Sequence, residues 1–75
     1  MESNVMSLLR RILPGVPRPG ELVEIYERGR KIAAGRVIIV DEKIISIAGR
    51  GIVDLDVQEL MRGMRDGSIT VKRQP

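Results

Sequence analysis

The sequence predicts a mainly β (α+β) domain: a small five-stranded bent sheet or open barrel, with an N-terminal helix and a short helix before the last strand. Two observations set the class. Five short segments rich in Ile, Val and Leu follow one another after residue 20, separated by turns that carry Gly or Asp. Apolar residues repeat with a helical period only at residues 5–13 and 57–64. A third observation limits the size. Seventy-five residues make one domain, and a domain this small buries only about 60% of its unfolded surface.

Residues 1–20 form the first unit, an amphipathic helix followed by a proline-rich connector. Val5, Leu8, Leu9, Ile12 and Leu13 keep the spacing of one helical face, with Arg10 and Arg11 opposite and Ser3 or Asn4 placed to cap. Pro14 ends that helix because proline lacks the amide that the ladder needs, and residues 14–20 read as a stiff, extended link. The expected use of the helix is packing against the barrel or against a neighbouring subunit.

Residues 21–75 form the small β-barrel-like domain. Strands are expected over 22–28, 31–40, 44–48, 52–55 and 68–72. Gly29 with Arg30 turns the first pair, Asp41-Glu42-Lys43 the second and Gly49-Arg50-Gly51 the third. Gly35 breaks the alternation of the second strand and predicts a bulge or sharp bend there. Val37, Ile38, Ile39 and Val40 are apolar without interruption, so both faces of that strand are expected to be covered, one by the core and the other by the helix or another subunit. Asp56 and Glu59 stand in the relation of a capping box, Val57, Leu60, Met61 and Met64 follow on one stripe, and Asp66-Gly67 supplies a left-handed end. Ile69 and Val71 are expected to face inward from the last strand.

Composition removes whole classes of chemistry. The chain has no His, Cys, Trp or Phe, and Tyr26 is its one aromatic residue. Without imidazole or thiolate there is no ordinary zinc or copper site, no Ser-His or Cys-His nucleophile, and no side chain that titrates near neutrality unperturbed. The chain is therefore expected to bind and not to catalyse, with no cofactor and no metal. Ten Ile and eight Val exceed what one small core needs, which points to a homo-oligomer. No stretch approaches the ~20 apolar residues of a membrane span, so no membrane partner and a cytoplasmic location are expected. Abundant Ile, Val, Arg and Glu with few Asn and Gln fit a thermophilic source.

Net charge is +3, carried by thirteen basic and ten acidic side chains. The acids Asp54, Asp56 and Glu59 stand together, whereas bases gather near both ends and around residues 31–36. Arg28, Arg30, Lys31, Arg36, Arg50, Arg62, Arg65, Lys72 and Arg73 are the candidate nucleic-acid-binding residues. Arg suits this because its planar fork meets two phosphate oxygens at once. With Tyr26 as the sole aromatic, backbone or duplex contact is favoured over base stacking. The function expected is thus a small oligomeric protein that holds RNA or DNA through phosphate contacts. The alternative is a protein-interaction or scaffold module, in which the Ile and Val surplus with Met6, Met61 and Met64 forms the partner surface.

Gly35, Val37 and Asp41 hold a Gly-x-hydrophobic-x-x-x-Asp spacing behind an expected N-terminal helix and a first strand, and Arg62-Gly63 follows later. This pattern resembles the two signatures of the Sm-like RNA-binding proteins. The resemblance covers about half of the chain and implies their fold, ring-type assembly through edge strands, and positional roles for Asp41 and Arg62. The uridine-contacting Asn of that family has no counterpart, because Ile44 and Ile45 stand where it would fall, so base recognition is not implied.

Overall fold

The computed structural model of the protein describes residues 15–74, and the helix expected over residues 5–13 lies outside them. Five strands follow in order: β1 (Leu22–Glu27), β2 (Arg30–Val40), β3 (Ile44–Ala48), β4 (Ile52–Asp56) and β5 (Ile69–Gln74), with the helix α1 (Val57–Asp66) between the last two. They make a single antiparallel sheet in the order β4-β3-β2-β1-β5. The first four form a meander. After β4, α1 carries the chain across to the far side of β1, where β5 pairs. β4 and β5 are the two outer strands and do not pair with each other, so the sheet is open.

Local chemistry sets these boundaries. The Asp41 carboxylate accepts from the amides of Lys43 (2.7 Å) and Ile44 (2.8 Å), and the Asp41 amide donates to the Ile44 carbonyl, which closes the β2–β3 turn. Asp56 caps α1, its carboxylate accepting from the Glu59 amide at 3.0 Å. The Val57 amide, one of the donors a helix start leaves over, finds the Lys43 carbonyl at 2.9 Å. At the other end Gly67 takes the left-handed conformation, φ 88°, and Ser68 donates its amide to the Asp66 carboxylate.

The core lies between one face of the sheet and α1. Val23 and Ile25 of β1, Val37 of β2, and Ile45 and Ile47 of β3 meet Val57 and Leu60 of the helix, with Ile69 of β5 at the margin. Ile25, Ile45 and Ile47 are wholly buried, and each contributes about 1.5–3 kcal/mol by leaving water. Val16 and Pro17 of the connector are buried too, so that segment is part of the packing and not a free tether.

β2 is irregular at two places. The register slips at Ile32, between the pairs Ile25↔Ala33 and Tyr26↔Lys31, and again at Ile38, between Val37↔Ile47 and Ile39↔Ser46. Gly35, expected at a bulge or sharp bend, stays in register opposite Val23 with φ 145°, a conformation only glycine adopts readily, and the bulges fall at Ile32 and Ile38. The slip at Ile38 also breaks the alternation of the apolar run. Val37 is buried, whereas Ile38 and Ile39 are 41% and 49% exposed; the helix or second subunit expected to cover this face lies outside the described residues.

Candidate nucleic-acid interface

The outer face of the sheet, away from α1, brings residues of three strands together. Pairing sets Tyr26 of β1 between Thr70 of β5 and Lys31 of β2, and sets Glu24 opposite Lys72. Two ammonium groups therefore reach one aromatic ring from neighbouring strands. The Lys72 Nζ lies 5.0 Å from the Tyr26 ring centroid and the Lys31 Nζ 5.9 Å. Glu24 completes the group: its carboxylate pairs with Lys31 at 3.1 Å and accepts from the Tyr26 hydroxyl at 3.4 Å. The bond and charge of Lys31 hold the Glu24 carboxyl below the usual range, and Glu24 raises Lys31 in return. Both lysines and the ring thus stand on a rigid, strand-borne surface with one carboxylate among them.

The other expected residues divide into separate groups. Arg36 pairs with Leu22 and Ala48 near the opposite end of the sheet, and its guanidinium donates to the Gly20 carbonyl at 2.8 Å. Arg73 donates to the Glu21 carboxylate at 2.9 Å and to the Gly15 carbonyl at 2.6 Å, which fastens the connector to β5. Arg28, in a left-handed turn with φ 52°, donates its amide to the Ser68 carbonyl. The hydroxyl and amide of Ser68 keep the Asp66 carboxyl low, and the charges of Arg28 and Arg62 add to this. Arg30 opens β2 opposite Glu27, Arg50 sits in the β3–β4 turn, and Arg65 is exposed in the last turn of α1. The nine basic residues thus do not share one face. Lys31 and Lys72 meet at Tyr26, Arg28 and Arg62 flank Asp66, and Arg36 and Arg73 bind backbone carbonyls of the connector.

Glu24 and Tyr26 were not among the residues expected at the site. Their signal was present in the alternation of β1, because residues two apart on a strand share a face. A second concavity lies elsewhere, between α1 and the β1–β2 end of the sheet, lined by Ile32, Leu55, Leu60 and Ile69 and by several carboxylates. Among the described residues no three acidic side chains come close enough to share a cation, and no helix is long and apolar enough to cross a membrane. Compared with known protein families, curated proteins and solved structures, the chain finds no match in any of the three.

Proposed function

We propose that this chain is a small, self-associating nucleic-acid-binding protein that holds RNA or DNA on the outer face of its sheet, by contact and without catalysis. The observation that carries the reading is the convergence of Lys31 and Lys72 on Tyr26. Two cations from β2 and β5, the strands on either side of β1, suit consecutive phosphates, and the ring between them gives one base a surface to lie on. Glu24 then serves to position Lys31 and limits how anionic a ligand the cluster holds at low affinity. The Sm-like assignment is part of the proposal, supported by Gly35 and Val37 lying on β2 and Asp41 just past its end. Self-association through edges is supported by their opposite charge, Asp54 and Asp56 on β4 against Lys72 and Arg73 on β5.

The test is an electrophoretic shift series with duplex DNA, single-stranded DNA and RNA at several salt concentrations. On duplex DNA the slope of log affinity against log salt is about 0.9 for each phosphate contact. Lys31→Ala with Lys72→Ala is expected to lower that slope by roughly two contacts. Absence of binding at low salt to all three ligands would reject the reading. A second reading, a protein-interaction module, is favoured by a different observation: Ile38, Ile39 and Ile52 are exposed, Ile52 at 68%, close to the open edge of β4. Binding of that kind would persist in high salt.

A further inference from the structure

We infer that the surface at Tyr26 takes single-stranded nucleic acid with a guanine at one position, and that Glu24 is the residue that selects this base. The inference rests on the nucleic-acid reading above and adds the identity of the base. A carboxylate is out of place in a cluster that holds phosphates, because it repels them and neutralises Lys31. A ligand that gives hydrogen-bond donors to that carboxylate offsets the repulsion, and a ligand that gives it none does not.

Glu24 and Tyr26 stand two apart on β1 and so share the outer face of the sheet. The carboxylate lies at the hydroxyl end of the ring. Its Oε1 accepts from the Tyr26 hydroxyl at 3.4 Å, and its Oε2 pairs with the Lys31 Nζ at 3.1 Å. An ionised carboxylate has about four acceptor positions, two on each oxygen. Among the described residues each oxygen of Glu24 engages one donor and keeps one position, so the pair of them suits two adjacent donors. Lys31 also holds the Glu24 carboxyl below its ordinary range, which keeps it an acceptor. Ala34, opposite Glu24 on β2, is exposed and carries only a methyl group, which leaves room beside the carboxylate.

Lys31 and Lys72 reach the ring on long flexible stems, and a lysine drawn from the ring to a phosphate leaves the ring to a base. A base lying there extends one edge past the hydroxyl end to Glu24. Guanine alone among the common bases sets two donors side by side on its Watson–Crick edge, the ring N1–H and the 2-amino group. Adenine and cytosine offer an amino group next to an acceptor nitrogen, which a carboxylate repels. Uracil and thymine offer one N–H between two carbonyl oxygens. In a duplex this edge is taken up by base pairing, so the strand that meets Glu24 is single.

Fluorescence anisotropy of the full-length chain tests this with short labelled oligothymidine strands that carry guanine, hypoxanthine, adenine, cytosine or thymine at the centre. The guanine strand is expected to bind at least about fivefold more tightly than the adenine, cytosine and thymine strands. Hypoxanthine keeps N1–H but lacks the 2-amino group, and its strand is expected to fall between. Glu24→Gln replaces one acceptor oxygen by a donor and removes the charge. It is expected to abolish the preference for guanine and to bind the all-thymine strand at least as tightly as the unaltered chain does. Equal affinity of the unaltered chain for the guanine and adenine strands would overturn the inference and leave backbone binding standing. So would a preference that survives in Glu24→Gln, or a loss in that variant shared equally by all strands. If no strand binds at low salt, the nucleic-acid reading itself falls.

Discussion

Gly35 of β2 and Ala48 of β3 approach so closely that a Cβ on residue 35 would overlap the Ala48 carbonyl oxygen and stand 2.6 Å from its carbon. The contact is backbone against backbone, so no side-chain rotation relieves it. Gly49 makes the reciprocal approach to the Ala34 carbonyl. This close approach of the two backbones is why an alternating strand carries a glycine at that point.

Gly35→Ala is accordingly expected to cost at least about 3 kcal/mol, the sum of an unfavourable φ and a displaced strand pair. Gly29→Ala is the control. Residue 29 also has a positive φ, 82°, but nothing lies within 4 Å of its added carbon, so it is expected to cost about 1–2 kcal/mol. Urea denaturation of the two variants measures the difference. Equal losses would show that the close approach to Ala48 contributes nothing.

Gly63 and Ile69 make a second coupled pair. Glycine within a helix usually costs about 1 kcal/mol relative to alanine, so Gly63→Ala would stabilise an isolated α1. Here the added carbon would run into the Ile69 side chain, 2.8 Å from its Cβ, and the substitution is expected to destabilise by about 1–3 kcal/mol. Ile69→Ala alone leaves a cavity and costs about 2–4 kcal/mol. In the double variant the clashes with the outer carbons of Ile69 are gone and only the approach to Cβ remains, so the combined loss should fall below the sum of the two. A double-mutant cycle reads this coupling directly, and simple additivity would count against the contact.

Acid should loosen the turns first. The amides of Ile44 and Lys43 hold the Asp41 carboxyl below its ordinary range, and Ser68 does the same for Asp66. A carboxyl whose pKa is lower in the folded state contributes stability that is fully present above the unfolded value, about 3.9 for Asp. That stability is lost as pH falls through the lower folded value. Stability is therefore expected to be level near neutrality and to decline below about pH 4, with Asp41→Asn and Asp66→Asn each flattening the decline. Thermal melts from pH 7 to pH 2 give the comparison.

How legible was this in the sequence? Ile44–Ala48 was read residue for residue, and the other strands to within two residues at each end, because Asp41, Gly29 and Gly51 mark turns by local chemistry that tertiary structure leaves alone. Asp56 and Gly67 marked α1 for the same reason. The slips at Ile32 and Ile38 were not legible. A bulge is a misfit between two strands, and neither strand alone records it. The candidate site was only half legible. Lys31 and Lys72 stood out as charges, but they lie 41 positions apart, and their meeting at Tyr26 follows from β5 pairing with β1 and not with β4. Arg73 looked equivalent to Lys72 in sequence. Its bond to Gly15 spans most of the chain and has no local signal.

Those two neighbours give the sharpest separation of binding from folding. Adjacent strand residues point to opposite faces, and here Lys72 goes to the outer face beside Tyr26 while Arg73 reaches Glu21 and the Gly15 carbonyl. Lys72→Ala should therefore reduce the salt dependence of nucleic-acid binding by about one contact and leave the melting temperature nearly unchanged. Arg73→Ala should do the reverse. It removes a half-exposed ion pair and a charge-assisted bond that fastens the connector, so a loss of up to about 1 kcal/mol in stability is expected, with the salt slope close to that of the unaltered chain. Lys72→Arg keeps a cation over the ring and should retain most of the affinity. If Lys72→Ala lowers stability and Arg73→Ala lowers binding, the outer face of the sheet is not the surface that meets the ligand.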